Sequence, residues 1–353
     1  MIFDARSFRR LLRVAAHLAA ALLLFGLLWA FLHDAPIGPA SRSSTGPLDQ
    51  PFRTVRPGVM LADREVSGWT ERELRRWLDQ LSRQLSSQPE DARIDPVTRG
   101  RVPGLAGLRL DVAATVEAAL RAPDGARVSP VYRLQPPRVH LDDLPPAPIY
   151  QGNPQRRAVS LLVNVAWGNE YLPPILEALQ GAGVQASFFL VGSWAEKNAR
   201  LAQAIADAGQ EIDSHGWQTV EYEHLGEAEV ARQVVQADRV ILAVTGRRPL
   251  YFSPHRGVVT PAVLDQALAA GHQVILWSVD TVDWQHPSPE AILERVEQKL
   301  HPGALVLMHP TAETARALPE LIRRIEAHGY QILPLARLLS EDPLAQPKPS
   351  QSR

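Results

Sequence analysis

The chain contains no cysteine. That absence excludes a disulfide framework, a thiolate zinc site and a cysteine nucleophile together. It leaves the compartment open, because exported proteins can do without disulfides. Any metal site must therefore be built from histidine and carboxylates. Lysine is scarce as well: Lys197, Lys299 and Lys348 are the whole set, so positive charge is nearly all arginine. There is no excess of either sign, with 37 basic and 38 acidic residues and a formal net charge of −1. That balance excludes nucleic-acid binding driven by net charge and leaves room only for a local basic patch. A G-x-S-x-G elbow is missing, which argues against a serine hydrolase. No P-loop or dinucleotide fingerprint sits in a strand–turn–helix context.

One long apolar run is present. Arg6, Arg9, Arg10 and Arg13 precede Val14 to Leu32, a stretch long enough to cross a hydrocarbon core. The arginines before it place the N-terminus in the cytoplasm and the remainder outside. Residues 1–33 are therefore expected to be a cytoplasmic tip and an uncleaved signal-anchor helix. This makes the protein a single-pass membrane protein, extracytoplasmic after about residue 33. Asp34-Ala35-Pro36 is a poor cleavage site for a signal peptide. A Pro-, Ser- and Gly-rich linker at 34–50 follows.

Residues 51–143 read as a small α+β region. Thr70 and Glu73 have capping-box spacing, and Leu74, Trp77, Leu78, Leu81 and Leu85 then share a helical face. A second helix is expected at Val112–Leu120. The region lacks a His–carboxylate cluster, so binding or spacing is expected of it rather than chemistry. The pattern PGVMLADREVSGWTERELRRWL, with a later G-x-x-L-D-V step, resembles the peptidoglycan-binding domain found beside VanW-type proteins.

Pro145, Pro146 and Pro148 mark a linker at 144–157. From 158 to 340 strand and helix patterns alternate, with a flexible tail expected at 341–353. The strand candidates are 159–165, 186–191, 211–214, 250–252, 273–279, 304–308 and 331–334, and helical patterns include 194–208, 226–244 and 288–300. Seven β/α repeats suit a parallel barrel or a doubly wound sheet. Trp167, His215, His255, Asp280, Asp283 and His309 gather where strands end, which is where a β/α barrel carries its site. Among them His309 can act as an acid oriented by Asp283, and His215 can bind a metal. No second metal ligand stands out, whereas catalytic zinc normally takes three protein ligands.

From Ala158 to about Leu335 the chain resembles the NodB-homology polysaccharide deacetylases. The resemblance rests on VQASFFLVGSWAEKNARLAQAIADAGQEIDSH, TGRRPLYFSPHRG, LWSVDTVDW and ALVLMHP. It implies a (β/α)7 barrel and, in active members, removal of N-acetyl groups from chitin-like sugars or peptidoglycan. Those members use a divalent metal held by Asp-His-His, an Asp base and a His acid. The motifs here depart from that pattern. T-F-D-D-G is matched by Asn164 to Gly168, so the base falls on Ala166 and the metal-binding Asp on Trp167. H-x-x-x-H is matched by His215 to Thr219, so His215 is the single retained ligand. R-P-P-Y-G is matched by Ser253 to Gly257, which removes the arginine that pairs with the base. The Asp280–Trp284 motif and His309 survive, leaving Asp283 and His309 as a retained acid pair. NVAWGNEYLP also resembles the YlxY-type, sporulation-associated branch, which points to a spore-forming bacterium and the cell envelope.

The expectation is a pseudoenzyme that binds cell-wall glycan or peptidoglycan, with Trp167 and Trp217 as a sugar-stacking platform and Trp284 packed in the core. Two alternatives stand beside it: an active N-deacetylase with an altered site, and a sporulation scaffold. No cofactor is expected. Zinc or another divalent ion enters only through a site rebuilt from His215, His255 and His309 with Glu221, Glu223 or His224.

Overall fold

Thr70 begins the first described helix, α1 (Glu71–Leu81), by accepting the Glu73 amide while the Glu73 carboxylate accepts the Thr70 amide. Two otherwise orphaned donors are satisfied reciprocally. Leu74 and Leu78 enter a small core with Val59, Leu61, Val116 and Ala119. The last two come from α2 (Val112–Arg121). Short strands surround these helices: β1 (Met60–Leu61), β2 (Arg64–Glu65), β3 (Arg93–Ile94), β4 (Arg101–Val102), β5 (Gly107–Leu110), β6 (Arg127–Val128) and β7 (Tyr132–Gln135). This computed structural model describes residues 53–344. The expected signal-anchor helix, the linker at 34–50 and most of the tail at 341–353 lie outside the described residues. Among the described residues no helix is long and apolar enough to cross a membrane.

The larger part of the chain is built on a parallel sheet. Its centre is β8 (Ala158–Val165), buried along its whole length, as an apolar run must be when both sheet faces are covered. On one side follow β9 (Ser187–Leu190), β10 (Glu211–Ser214), β11 (Tyr251–Phe252) and β12 (Gln273–Val274). On the other side lie β14 (Leu305–Met308) and β13 (Val279–Asp280), and β15 (Gln331–Ile332) pairs with the start of β8. Around the strands run α3 (Leu172–Gly181), α4 (Gly192–Lys197), α5 (Ala199–Asp207), α6 (Glu227–Thr245), α7 (Pro261–Ala269), α8 (Pro289–Lys299) and α9 (Ala312–Ala327). The short α10 (Leu335–Leu339) joins the inner cluster of Leu162, Phe189, Ile275 and Leu305.

The expected seven-strand closed barrel is corrected here. The run 273–279 breaks into β12 and β13, which do not pair, so eight strands curl into an open half-barrel. The break has a visible cause. Ile149 donates its amide to Val274 at 2.8 Å and accepts the Leu276 amide at 2.9 Å, and Gln151 bridges to Ala304 on the far side. The segment read as a Pro-rich linker thus takes up the hydrogen bonds at the seam. Arg101 fastens the smaller α+β part to the same place. It is buried, donates to the Ala147 carbonyl at 2.8 Å and also bonds Gln273 of β12.

Two carboxylates lie inside the sheet. Asp213 accepts the Leu250 and Tyr251 amides, yet burial and neighbouring Glu211 hold its carboxyl well above the usual carboxylate range. A raised native pKa means the folded chain keeps its proton longer than the unfolded one. Stability is therefore lost as pH rises above the unfolded value of about 4. Asp213→Asn is expected to flatten this decline, so its urea midpoint gains on the wild type between about pH 4 and pH 7. A difference independent of pH would count against it.

Candidate functional site

The C-terminal ends of β8, β10, β11, β13 and β14 open at one mouth, and each delivers a side chain there. The best-anchored is Asp283, which is fully buried. One of its oxygens accepts Nδ1–H of His309 at 2.8 Å. The other accepts the His309 amide and the Thr314 hydroxyl, each at 2.6 Å. Asp283 sits in a tight turn between Val282 (φ 55°) and His286 (φ 53°). A β-branched residue at positive φ is strained, and the turn persists because Asp283 is held from three directions. With Nδ1 committed, Nε2 is the free nitrogen of His309.

Trp167 follows the end of β8 and is 44% exposed. Its indole lies parallel to the His309 imidazole, with ring centroids 6.1 Å apart and 6° between planes. Gly168 makes this approach possible. It adopts φ 79°, and a Cβ there would lie 2.0 Å from the Pro310 carbonyl oxygen.

His215, at the end of β10, donates Nδ1–H to the Ser253 carbonyl at 2.6 Å. Burial pushes its pKa down to about 3, so it is a neutral imidazole with Nε2 unshared. His255 meets it edge-to-face with centroids 5.8 Å apart, and burial and adjacent Arg256 push its pKa down as well. Glu221 is turned toward Arg256, at 3.2 Å.

Beside the mouth lies a cleft of about 440 Å³, lined by Ala166, Trp167, Ser193, Trp194, Lys197 and Thr219 among others. The three positions where the motif resemblance loses the base and two metal ligands thus share one wall system. The cleft is held by a chain that sequence reasoning missed: Trp194 Nε1 donates to Asn169, and Asn169 donates to Asn198. Asn169 and Trp194 each fall four residues beyond a strand end, and Asn198 lies at the junction of α4 and α5. The tryptophans are disposed differently from expectation. Trp217 is half-buried, and its ring lies so close over Gly192 that a Cβ there would meet it at 2.8 Å. Trp284, expected in the core, is 51% exposed.

A divalent metal does not fit these residues. His215 offers one nitrogen, Trp167 and Thr219 offer no ligand of the expected kind, and the indole stacks on His309 instead. Among the described residues no group of three or more His, Cys, Asp or Glu is placed to hold an ion. The rebuilt cluster of His215, His255, His309, Glu221, Glu223 and His224 is not assembled.

A curled parallel half-barrel with an Asp–His pair at its mouth is the framework of carbohydrate deacetylases. The chain belongs to the polysaccharide deacetylase family, whose model matches residues 151–275. Over 254 residues it is 38% identical to the uncharacterized protein YlxY of Bacillus subtilis (strain 168), covering 72% of this chain and 79% of that protein. It is 25% identical over 203 residues to the peptidoglycan-N-acetylmuramic acid deacetylase PdaA of the same organism, covering 56% of this chain and 77% of PdaA. Among solved structures, wild-type BA3943 of Bacillus anthracis, described as a CE4 family pseudoenzyme, aligns with a TM-score of 0.70 at 38% identity. That alignment covers 76% of this chain and 95% of BA3943. A BA3943 mutant that aligns equally well is described as having restored enzymatic activity.

Two outcomes follow from the geometry. Zinc titration of the full-length chain is expected to show no stoichiometric tight binding. Trp167→Asp combined with Thr219→His, which adds two ligands beside His215, is expected to create it. Tight binding by the wild type would overturn this account. Asp283→Ala strands a buried imidazole, an amide and a hydroxyl, and should cost about 3 kcal/mol in denaturant unfolding.

Proposed function

We propose that this chain is a catalytically degenerate deacetylase-family protein of the cell envelope that binds peptidoglycan or a related N-acetylated glycan. One observation carries the reading: Trp167 occupies the position of a metal-binding carboxylate and stacks on His309. A half-exposed indole offers a sugar ring an apolar face, and the adjoining cleft supplies Ser193, Asn198 and Thr219 for hydroxyl and acetamido groups. The description of BA3943 as a pseudoenzyme supports the loss of catalysis, and the name of PdaA supports peptidoglycan as the class of ligand. The Arg cluster and apolar run before residue 33 support a membrane anchor, with the glycan-binding part outside. Residues 51–143, by their VanW-type likeness, add a second contact to the wall.

A second reading is favoured by one observation, the intact Asp283–His309 hydrogen bond. In an active N-deacetylase this pair would protonate the leaving amine. The base and two metal ligands are absent, so the binding reading is preferred. A sporulation scaffold without glycan affinity is the remaining alternative.

Pull-down of the full-length chain on purified peptidoglycan tests all three. The wild type should bind, and Trp167→Ala should weaken binding about tenfold, in line with loss of one stacked ring. Circular dichroism should be unchanged. Acetate release should be undetectable for both proteins. Release that His309→Ala abolishes would establish the enzyme instead, and wild-type-like binding by Trp167→Ala would sink the platform.

A further inference from the structure

A second cavity lies at the other end of the sheet. It holds about 410 Å³, enough for a small ligand. Its walls come from both parts of the chain. Gln88 and Glu90 belong to the smaller α+β part, Gln155 and Arg156 precede β8, Gln331 is in β15 and Arg337 is in α10. Because β8 and β15 begin here, this cavity opens at the N-terminal strand ends, away from the mouth that holds His309.

The bonding of its walls is unusual. Among the described residues, the side chains of Gln88, Glu90, Gln155, Gln331 and Arg337 make no hydrogen bond or ion pair with the protein. Arg156 is committed to structure: it donates to the carbonyls of Arg337 and Leu338 and, at 2.7 Å, to that of Asp342. Those partners are neutral oxygens, so its charge meets no carboxylate within ion-pair distance. Burial and the nearby Arg337 charge push its pKa down, and Asp342 opposes this only in part. Two guanidinium charges, one carboxylate and three carboxamides therefore surround one space.

That set selects among ligands. No aromatic ring lines the cavity, so it lacks the stacking face that suits a sugar. The presence of Glu90 disfavours a polyphosphate or another dense polyanion. Carboxamides donate and accept, which matches a peptide backbone. Arginine is suited to planar, two-point recognition of a carboxylate, and Glu90 complements an ammonium group.

We infer that this cavity is a binding site for a short peptide, with the free C-terminal carboxylate held by Arg337 beside Arg156 and the amino group by Glu90. The site is independent of the glycan reading of the mouth, and it would let one chain engage a sugar strand and a peptide at opposite ends.

The test is calorimetric titration of the full-length chain with alanyl-alanine, in L and D forms. The C-terminal amide and the N-acetyl derivative serve as comparison ligands. Saturable binding of the free dipeptide is expected, weakened at least tenfold in the amide and several-fold in the N-acetyl form. Arg337→Gln should reproduce the loss seen with the amide, and Glu90→Gln the loss seen with the N-acetyl form. Trp167→Ala, at the other end, should leave dipeptide binding unchanged. No saturation up to about 10 mM of either enantiomer would overturn the proposal. So would equal binding of the amide, indifference to Arg337→Gln, or displacement by a neutral N-acetylglucosamine oligomer, which would make this a sugar site.

Discussion

The carboxylate of Asp283 is the fixed point of the mouth. It is fully buried, and it binds the amide and ring of His309 together with the hydroxyl of Thr314. Asp283 itself lies in the turn after β13, His309 at the end of β14 and Thr314 at the start of α9. One side chain therefore closes three elements that would otherwise meet only through apolar packing. Burying a carboxylate is costly unless its lone pairs are satisfied. Here three donors satisfy it, and the left-handed backbone at Val282 and His286 is tolerated in consequence. The orientation of His309 follows, and the indole of Trp167 then finds a parallel surface to lie on.

The proposed loss of catalysis and the retention of the fold become compatible on this view. The side chains that depart from the family motifs at the mouth, Ala166, Trp167, Thr219 and Ser253, stand where the resemblance implies a base, two metal ligands and the arginine that pairs with the base. Asp283 serves the architecture, whatever else it does. Ser253 shows the charge logic. It is almost fully buried, and an arginine there without its carboxylate partner would be an isolated buried charge, costing several kcal/mol. Its carbonyl still accepts the hydrogen bond from His215 Nδ1–H, because a backbone acceptor does not depend on the side chain.

Much of this was legible in the sequence because it is local. The capping box at Thr70 and Glu73, the helices at 227–245 and 289–299, and the buried run of β8 all follow from periodicity and end signals. What escaped depends on contacts between distant segments. The apolar run at 273–279 carries no mark of its break, because the cause is Ile149, more than a hundred residues earlier. The helix read over 194–208 divides at Asn198, whose side chain turns back to the Trp194 carbonyl. The tryptophans exchanged environments for a similar reason. Trp284 is carried outward by a turn with positive φ on either side, a conformation that neither Val282 nor His286 announces. Trp217 is drawn in because Gly192 leaves room for its ring.

The position of Trp167 joins these strands of the argument. An indole on a surface loop would ordinarily sample many orientations. Here Gly168 presses the backbone against Pro310, the residue after His309, so closely that no side chain could replace its hydrogen. Trp167 is thereby held in register with a histidine that Asp283 already fixes. The exposed side of the indole remains open to solvent. A rigid aromatic surface loses little conformational freedom when a ligand covers it. On the proposed reading, the residue that stands where the family resemblance has a metal ligand also provides a preorganised contact, so that loss of chemistry and a binding surface would arise from one residue.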